Sequence, residues 1–410
     1  MKQTNIKTRL KTRKKYTRQN KTKKQRGGKD KTSGNHKTIG KDKTSGNHKT
    51  SNKHKTFLRL QSKTNRIPTD PSINNKSIVT QSYNPTINQQ LVSLKSLRRQ
   101  TVKECENTNA FLLKQPLQIM ISNRCYPYTD KKAQTYLLNN LRANKHIDFE
   151  NIITPVQSHS NCWFNSMFLV FFISDKGRKF FHFFRQLMIE GKQGSGVKIP
   201  SKLWNAFAIL NFAIECCLTG DDYAYELNTN SIIRQIYMSI PDSYKKSDKY
   251  LVDVDFASNP VFYYETLMNY LQSNPLERII IEAKDEDWET QIEAKVTTPP
   301  HYIVIEVFEQ PNRIIRNKKQ VLEFNGYRYE LDSAIVRDKK ENHFCAVLTC
   351  EGKEMAYDGA SFHRLVPMEW KKNINKDVTW EFEGSKYPDN SPLQWSFLHG
   401  YQMLFYYRTK

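Results

Sequence analysis

The sequence offers little with which to staple the chain or carry it through a membrane. Seven cysteines are scattered over 410 residues, at positions 105, 125, 162, 216, 217, 345 and 350. No two stand three positions apart, so a zinc ribbon is excluded, and no metal or cofactor is expected. An odd, sparse set implies a reducing compartment rather than a disulfide framework. The longest relevant apolar run, Met167–Ile173, falls far short of the ~18–20 residues that span a bilayer, so no membrane partner is expected. The basic N-terminus has no apolar segment behind it and does not read as a secretory signal. The expectation is a soluble intracellular protein.

Acidic residues are nearly missing from the first 66 positions. There, 23 Lys and Arg face only Asp30 and Asp42, a net charge of +21, whereas the whole chain carries +23. The basic character therefore belongs to a tail, and the remainder is close to neutral. This tail contains a duplication, "GKDKTSGNHKT", at Gly28–Thr38 and again at Gly40–Thr50. With almost no large apolar side chains it cannot offset the entropy of ordering, so residues 1–66 read as disordered. Two readings stand for it: a solvated polycation, or nonspecific binding to nucleic acid through counterion release. Residues 67–115 are rich in Asn, Ser and Gln and read as a polar linker or partly ordered extension. Residues 116–410 read as the folded domain.

Within that domain the hydrophobic period changes. The stretch 129–144 predicts a helix capped by Thr129 or Asp130, followed by helices from Cys162 to about Ile173, through "KFFHFFRQLMIEG" after a break at "SDKGR", and over 200–220. "NSIIRQIYMSI" and "NPVFYYETLMNYLQSN" predict two more. From Arg278 onward the pattern is that of strands: 278–282, then an acidic loop-like run to Thr298, then 299–309, 327–338, 343–350, 354–361, 378–384 and 400–408. Helices followed by an antiparallel sheet make an α+β chain with a helical and a sheet lobe, and a cleft between lobes suits a site built from both.

One stretch, "VQSHSNCWFNSMFLVFFISD", sets a thiol where a polar loop becomes an apolar helix. A cysteine at a helix N-terminus is placed for nucleophilic attack if a cation stands beside it, although Cys at such a point is also ordinary packing. "ENHFCAVLTCEGKEMAYDGAS" supplies partners. In a two-residue hairpin, paired positions sum to an odd number, and 343 plus 358 is odd. His343 and Asp358 therefore share a face, opposite or one diagonal step apart. Cys162, His343 and Asp358 would make a nucleophile, base and orienter, with Gln157 and the Cys162 N–H donating to an oxyanion. Trp163 reads equally as a channel wall or as packing, and His159 is a weaker alternative base.

These segments, in this order, resemble the ubiquitin-specific proteases, papain-like cysteine peptidases. "NCWFNS" is similar to that family's cysteine box, in which the nucleophile is followed by two residues and Asn-Ser, here Cys162, Asn165 and Ser166. "TTPPHYIVIEVFE" resembles its Pro-Pro strand, "YELDSAIV" its Tyr-x-Leu strand, "NHFCAVL" its histidine box and "GYQMLFYYR" its closing strand. The resemblance implies a papain-like two-lobe fold and hydrolysis of the (iso)peptide bond after the C-terminal glycine of ubiquitin or a ubiquitin-like protein. It departs from the family pattern in several places. His159, Ser160 and Asn161 stand where the family has Gly-Asn-Thr, Gln157 where it has Asn, and Asn342 where a Gly precedes the histidine. The cysteine pairs of its zinc-bearing fingers are missing. The contrasting expectation is a peptidase fold without turnover, serving as a binding or structural protein whose tail holds nucleic acid or packages it in a particle. A basic, repeat-bearing tail joined to a peptidase core resembles proteins of large DNA viruses, which implies a host cytoplasm or nucleus, or a virion.

Overall fold

The computed structural model describes residues 103–105, 116–142 and 147–410, apart from positions 148, 194, 297, 309–314, 341–342, 362–363 and 384. The readings of the tail 1–66, of most of 67–115 and of Asn342 lie outside the described residues.

The first elements are short strands that the sequence reading did not contain. Strands β1 (Lys103–Glu104), β2 (Gln118–Ile121) and β3 (Arg124–Pro127) form an antiparallel sheet in that order. Cys105 and Cys125 are joined by a disulfide across 20 positions. This corrects the expectation of a reduced set, which rested on the odd number and sparse placing of the cysteines; the other five cysteines are free and buried.

Helices α1 (Lys131–Arg142), α2 (Cys162–Phe172), α3 (Asp175–Phe180) and α4 (His182–Glu190) follow. The Asp130 carboxylate accepts the Lys132 N–H at 2.7 Å and so starts α1. The expected break at Ser174–Arg178 is corrected: Ser174 is an N-cap whose side chain accepts the Gly177 N–H, and Asp175 opens α3. Gly177 is there for proximity. A Cβ at that position would lie 1.9 Å from the Val170 carbonyl oxygen, so only glycine lets α3 turn back so tightly on α2. Next come α5 (Ser201–Thr219), which stops at left-handed Gly220, then α6 (Thr229–Ser239), α7 (Asp242–Ser247) and α8 (Pro260–Tyr270).

The second half contains β4 (Arg278–Ala283), α9 (Thr290–Lys295), β5 (Tyr302–Val307), β6 (Val321–Phe324), β7 (Tyr327–Arg337), β8 (Phe344–Cys350), β9 (Lys353–Tyr357), β10 (Val366–Pro367), α10 (Trp370–Asn373), β11 (Thr379–Trp380), β12 (Trp395–Ser396) and β13 (Gln402–Arg408). An eight-stranded sheet runs β10-β9-β8-β7-β13-β5-β4, with β6 also on β7. It is not wholly antiparallel, as expected, because β4 and β5 are parallel. Parallel neighbours need a crossover, and the run read as an acidic loop holds α9 within that connection. The strand expected over 378–384 shrinks to the two residues of β11, paired with β12.

The chain is thus α+β. Strands β5 and β13 are buried at every position, and their alternate residues serve two cores. Tyr302, Val304, Met403 and Phe405 join the helices in one continuous cluster, while Ile303, Ile305, Leu404 and Tyr406 face Trp370 and Trp395 on the other side. Helix α2 lies in the first cluster with all of its residues buried, against β7 and β8. That burial puts Cys162, its first residue, beside the strand that begins just after His343.

Candidate active site

Cys162 opens α2, and its helix start is unusual in one respect. The N-cap residue Asn161 makes no side-chain cap bond. Its amide Nδ2 donates instead to the Thr229 hydroxyl at 2.7 Å, and its Oδ1 accepts the Ser158 N–H at 3.2 Å. Thr229 in turn donates to Asn165 Oδ1 at 2.7 Å, and Asn165 Nδ2 donates to the Val156 carbonyl. Asn230 donates to the carbonyl and the hydroxyl of Ser158. The start of α6 therefore holds the loop 156–161 from below, and the cap side chain is turned away from the first-turn N–H groups. An uncapped helix N-terminus is a donor site for developing negative charge.

The opposite wall comes from the β8–β9 hairpin. Its turn is Glu351–Gly352, both with positive φ, which fits the right-handed twist of the strands. Ala346 pairs with Tyr357 and Cys350 with Lys353, so His343 and Asp358 stand one diagonal step apart, at the ends of their strands. His343 Nε2 lies 2.5 Å from Asp358 Oδ1, and the Cys162 side chain is near enough to the imidazole to favour its charged form. Burial works against the imidazolium, but the bond to Asp358, then the Cys162 side chain, and the charges of both raise the His343 pKa to about 10. Both groups are almost fully buried.

Two further bonds stitch the hairpin to the cysteine loop. The Tyr357 hydroxyl donates to the Pro155 carbonyl at 2.6 Å, and the Gln157 N–H donates to the Gly359 carbonyl at 2.8 Å. A Cβ on Gly359 would come within 3.2 Å of Gln157 Cβ, so glycine after Asp358 allows this approach. Gln157 is half-buried, and its Nε2 donates to the His159 carbonyl at 3.1 Å, which leaves a second amide N–H on the same nitrogen.

The structure thus brings Cys162, His343 and Asp358 together, with His343 bonded to Asp358, and sets the Gln157 backbone on Gly359. Trp163 is fully buried against Phe164 and Tyr263, which is packing. His159 is exposed and has φ +61°. Several residues at the site were not singled out in the sequence. Asp338 Oδ1 accepts the His343 backbone N–H at 2.5 Å, Ser385 donates its hydroxyl to Asp358 Oδ2, and Thr229 is the hub below the loop. Only Asp338, five residues before the histidine, carried a local signal. Among the described residues no group of three or more His, Cys, Asp or Glu could hold a metal ion, and no helix is long and apolar enough to cross a membrane.

No protein-family model matches the chain, and no curated protein matches it. Solved structures do, at low identity. The SAGA DUB module Ubp8/Sgf11/Sus1/Sgf73 bound to monoubiquitin is similar at 11% identity, covering 64% of this chain and 70% of that one, with a TM-score of 0.40. Another structure of the SAGA Ubp8/Sgf11/Sus1/Sgf73 DUB module is similar at 11% identity, covering 64% and 69%, with a TM-score of 0.38. An essential yeast splicing factor is similar at 10% identity, covering 75% of this chain and 90% of that one, with a TM-score of 0.37. Likenesses of this size carry no argument about activity or substrate.

Proposed function

We propose that the chain is a thiol peptidase in which Cys162 is the nucleophile, His343 the general base and acid, and Asp358 the group that orients and charge-stabilises His343. The observation that carries this reading is the row Cys162–His343–Asp358, drawn from positions almost 200 residues apart. Sulfur bonds to the scissile carbonyl carbon while the thiol proton resides on His343. The carbonyl oxygen becomes an oxyanion, which the Cys162 N–H and the Gln157 amide stabilise. Collapse breaks the C–N bond, and His343 gives its proton to the departing amine. Water, deprotonated by His343, then releases the acyl group and restores the thiol.

The substrate class is ubiquitin or ubiquitin-like conjugates cut after the terminal glycine. That part of the reading is supported by the likeness of the cysteine and histidine boxes to the ubiquitin-specific proteases. The test is covalent labelling by ubiquitin bearing an electrophile at its C-terminus. Labelling of the wild type and none of Cys162→Ala is expected. If ubiquitin and ubiquitin-like probes all fail to label while small electrophiles still react selectively with Cys162, the substrate assignment is wrong. If Cys162 reacts no faster than Cys216, the peptidase itself is wrong.

A further inference from the structure

One loop grips the proposed base from two directions, and neither grip touches the sulfur. Between β11 and β12 the chain passes through Ser385 and Tyr387. Ser385 is 1% exposed, and its hydroxyl donates to Asp358 Oδ2, the carboxylate oxygen that His343 does not use. The Tyr387 hydroxyl donates to Asp338 Oδ2. The other oxygen of Asp338 accepts the backbone N–H of His343, and the Asp338 N–H donates back to the His343 carbonyl at 2.8 Å. The same short loop thus fixes both the carboxylate partner of the imidazole and the backbone that carries it.

The loop is itself braced. Ser385 N–H donates to Phe382 O and Leu393 N–H to Ser385 O, both at 3.1 Å, while Tyr387 N–H donates to Ser391 O at 2.8 Å. Lys340, next to the His343 turn, places Nζ 2.8 Å from the Ser391 hydroxyl and 4.1 Å from the centre of the Tyr387 ring. At the far end Trp395 sets its ring 5.8 Å from the imidazole and is met edge-on by Phe382 at 5.2 Å. A side chain held on both its polar partner and its backbone keeps one rotamer, which proton transfer to a fixed sulfur requires.

We propose that Ser385 and Tyr387, between β11 and β12, are positioning residues for the thiol site that act through Asp358 and Asp338. This rests on the thiol-peptidase reading. Loss of the Ser385 hydroxyl leaves Asp358 Oδ2 buried and bare, and a carboxylate in that state supports a neighbouring cation less well. Loss of the Tyr387 hydroxyl instead loosens Asp338 and, through it, the His343 backbone.

The test uses the full chain and iodoacetamide, which alkylates Cys162 without a peptide substrate. Rates at Cys162 are measured from pH 5 to 10 for wild type, Ser385→Ala, Ser385→Thr and Tyr387→Phe, with thermal melts alongside. Ser385→Ala and Tyr387→Phe are each expected to slow alkylation near neutral pH by about tenfold, and to move its pH profile, because each removes a bond to a charged group. Ser385→Thr, which keeps the hydroxyl, is expected to restore the profile. Tyr387→Phe alters one hydroxyl on a half-buried side chain and so reports even where Ser385→Ala does not fold. Lower melting temperatures with unchanged rates and profiles would overturn the proposal and leave the peptidase standing. A wild-type Cys162 no more reactive than Cys216 would overturn both.

Discussion

Asp175 accepts the Gly352 backbone N–H at 2.9 Å through Oδ2, and the neighbouring Glu351 N–H at 2.8 Å through Oδ1. Asp175 opens the helix that follows the cysteine helix, and Glu351–Gly352 is the turn of the hairpin that bears His343 and Asp358 at its other end. Arg178 completes the clamp, bonding Asp175 at 2.6 Å and Glu351 at 2.8 Å. The seven residues of β8 span roughly 20 Å, so the segments that flank the Cys162 helix, the loop before it and α3 after it, are tied to the two ends of the hairpin. Asp175→Ala should cost about 2–4 kcal/mol, because two N–H groups and a guanidinium lose a buried acceptor. Urea unfolding followed by tryptophan fluorescence measures it, and a loss below about 0.5 kcal/mol would show that the clamp is not stabilising.

The raised pKa of His343 makes a signed prediction about stability. The folded value is about 10 against an ordinary 6.5. The folded state therefore binds this proton more tightly, and the contribution is complete below pH 6.5 and fades as pH climbs towards 10. Asp358→Asn removes the main support of that cation. Its destabilisation relative to wild type should be largest at pH 5–6.5 and should shrink steadily towards pH 10, as read from denaturant midpoints. A gap that widened with pH would reverse the assignment. The same variant should lose about 10²–10⁴ in turnover, the usual range for a disabled general base.

Much of this geometry was written in local pattern. Runs rich in β-branched and aromatic residues marked β5, β7, β8 and β13, and the parity of positions 343 and 358 put the two side chains on one face. The polar-to-apolar step at Cys162 marked a helix start. What stayed hidden depended on partners remote in sequence. A serine at 385 or a threonine at 229 reads as a loop or helix-start residue until the chain is folded around it. Ser174, Asp175 and Gly177 read as a break because capping residues and turn residues are the same residues. The parallel pairing of β4 with β5 has no turn between the strands to announce it, and the Cys105–Cys125 disulfide has no spacing rule.

Gln157 is expected to act on the oxyanion alone. Its backbone N–H is fixed on the Gly359 carbonyl, and its side-chain amide keeps one N–H beyond the bond to the His159 carbonyl. Gln157→Ala should therefore lower turnover about 10²–10³-fold. Alkylation of Cys162 by iodoacetamide, which builds no oxyanion, should proceed as in wild type. A parallel fall in both rates would mean that Gln157 holds the loop 156–161 rather than the developing charge.

His159 supplies a prediction of the opposite sign. It stands at φ +61°, in the left-handed region, at a position where the ubiquitin-specific protease pattern has glycine. An L-residue there costs about 1–2 kcal/mol in steric strain, partly offset by the lower entropy of its unfolded chain relative to glycine. The side chain is exposed, so His159→Gly loses little packing. The variant should be more stable by about 0.5–1 kcal/mol and as active as wild type, measured by urea midpoints and probe labelling together. A large loss of labelling with folding intact would make His159, rather than His343, the base, and the row Cys162–His343–Asp358 would then have to be read as structure alone.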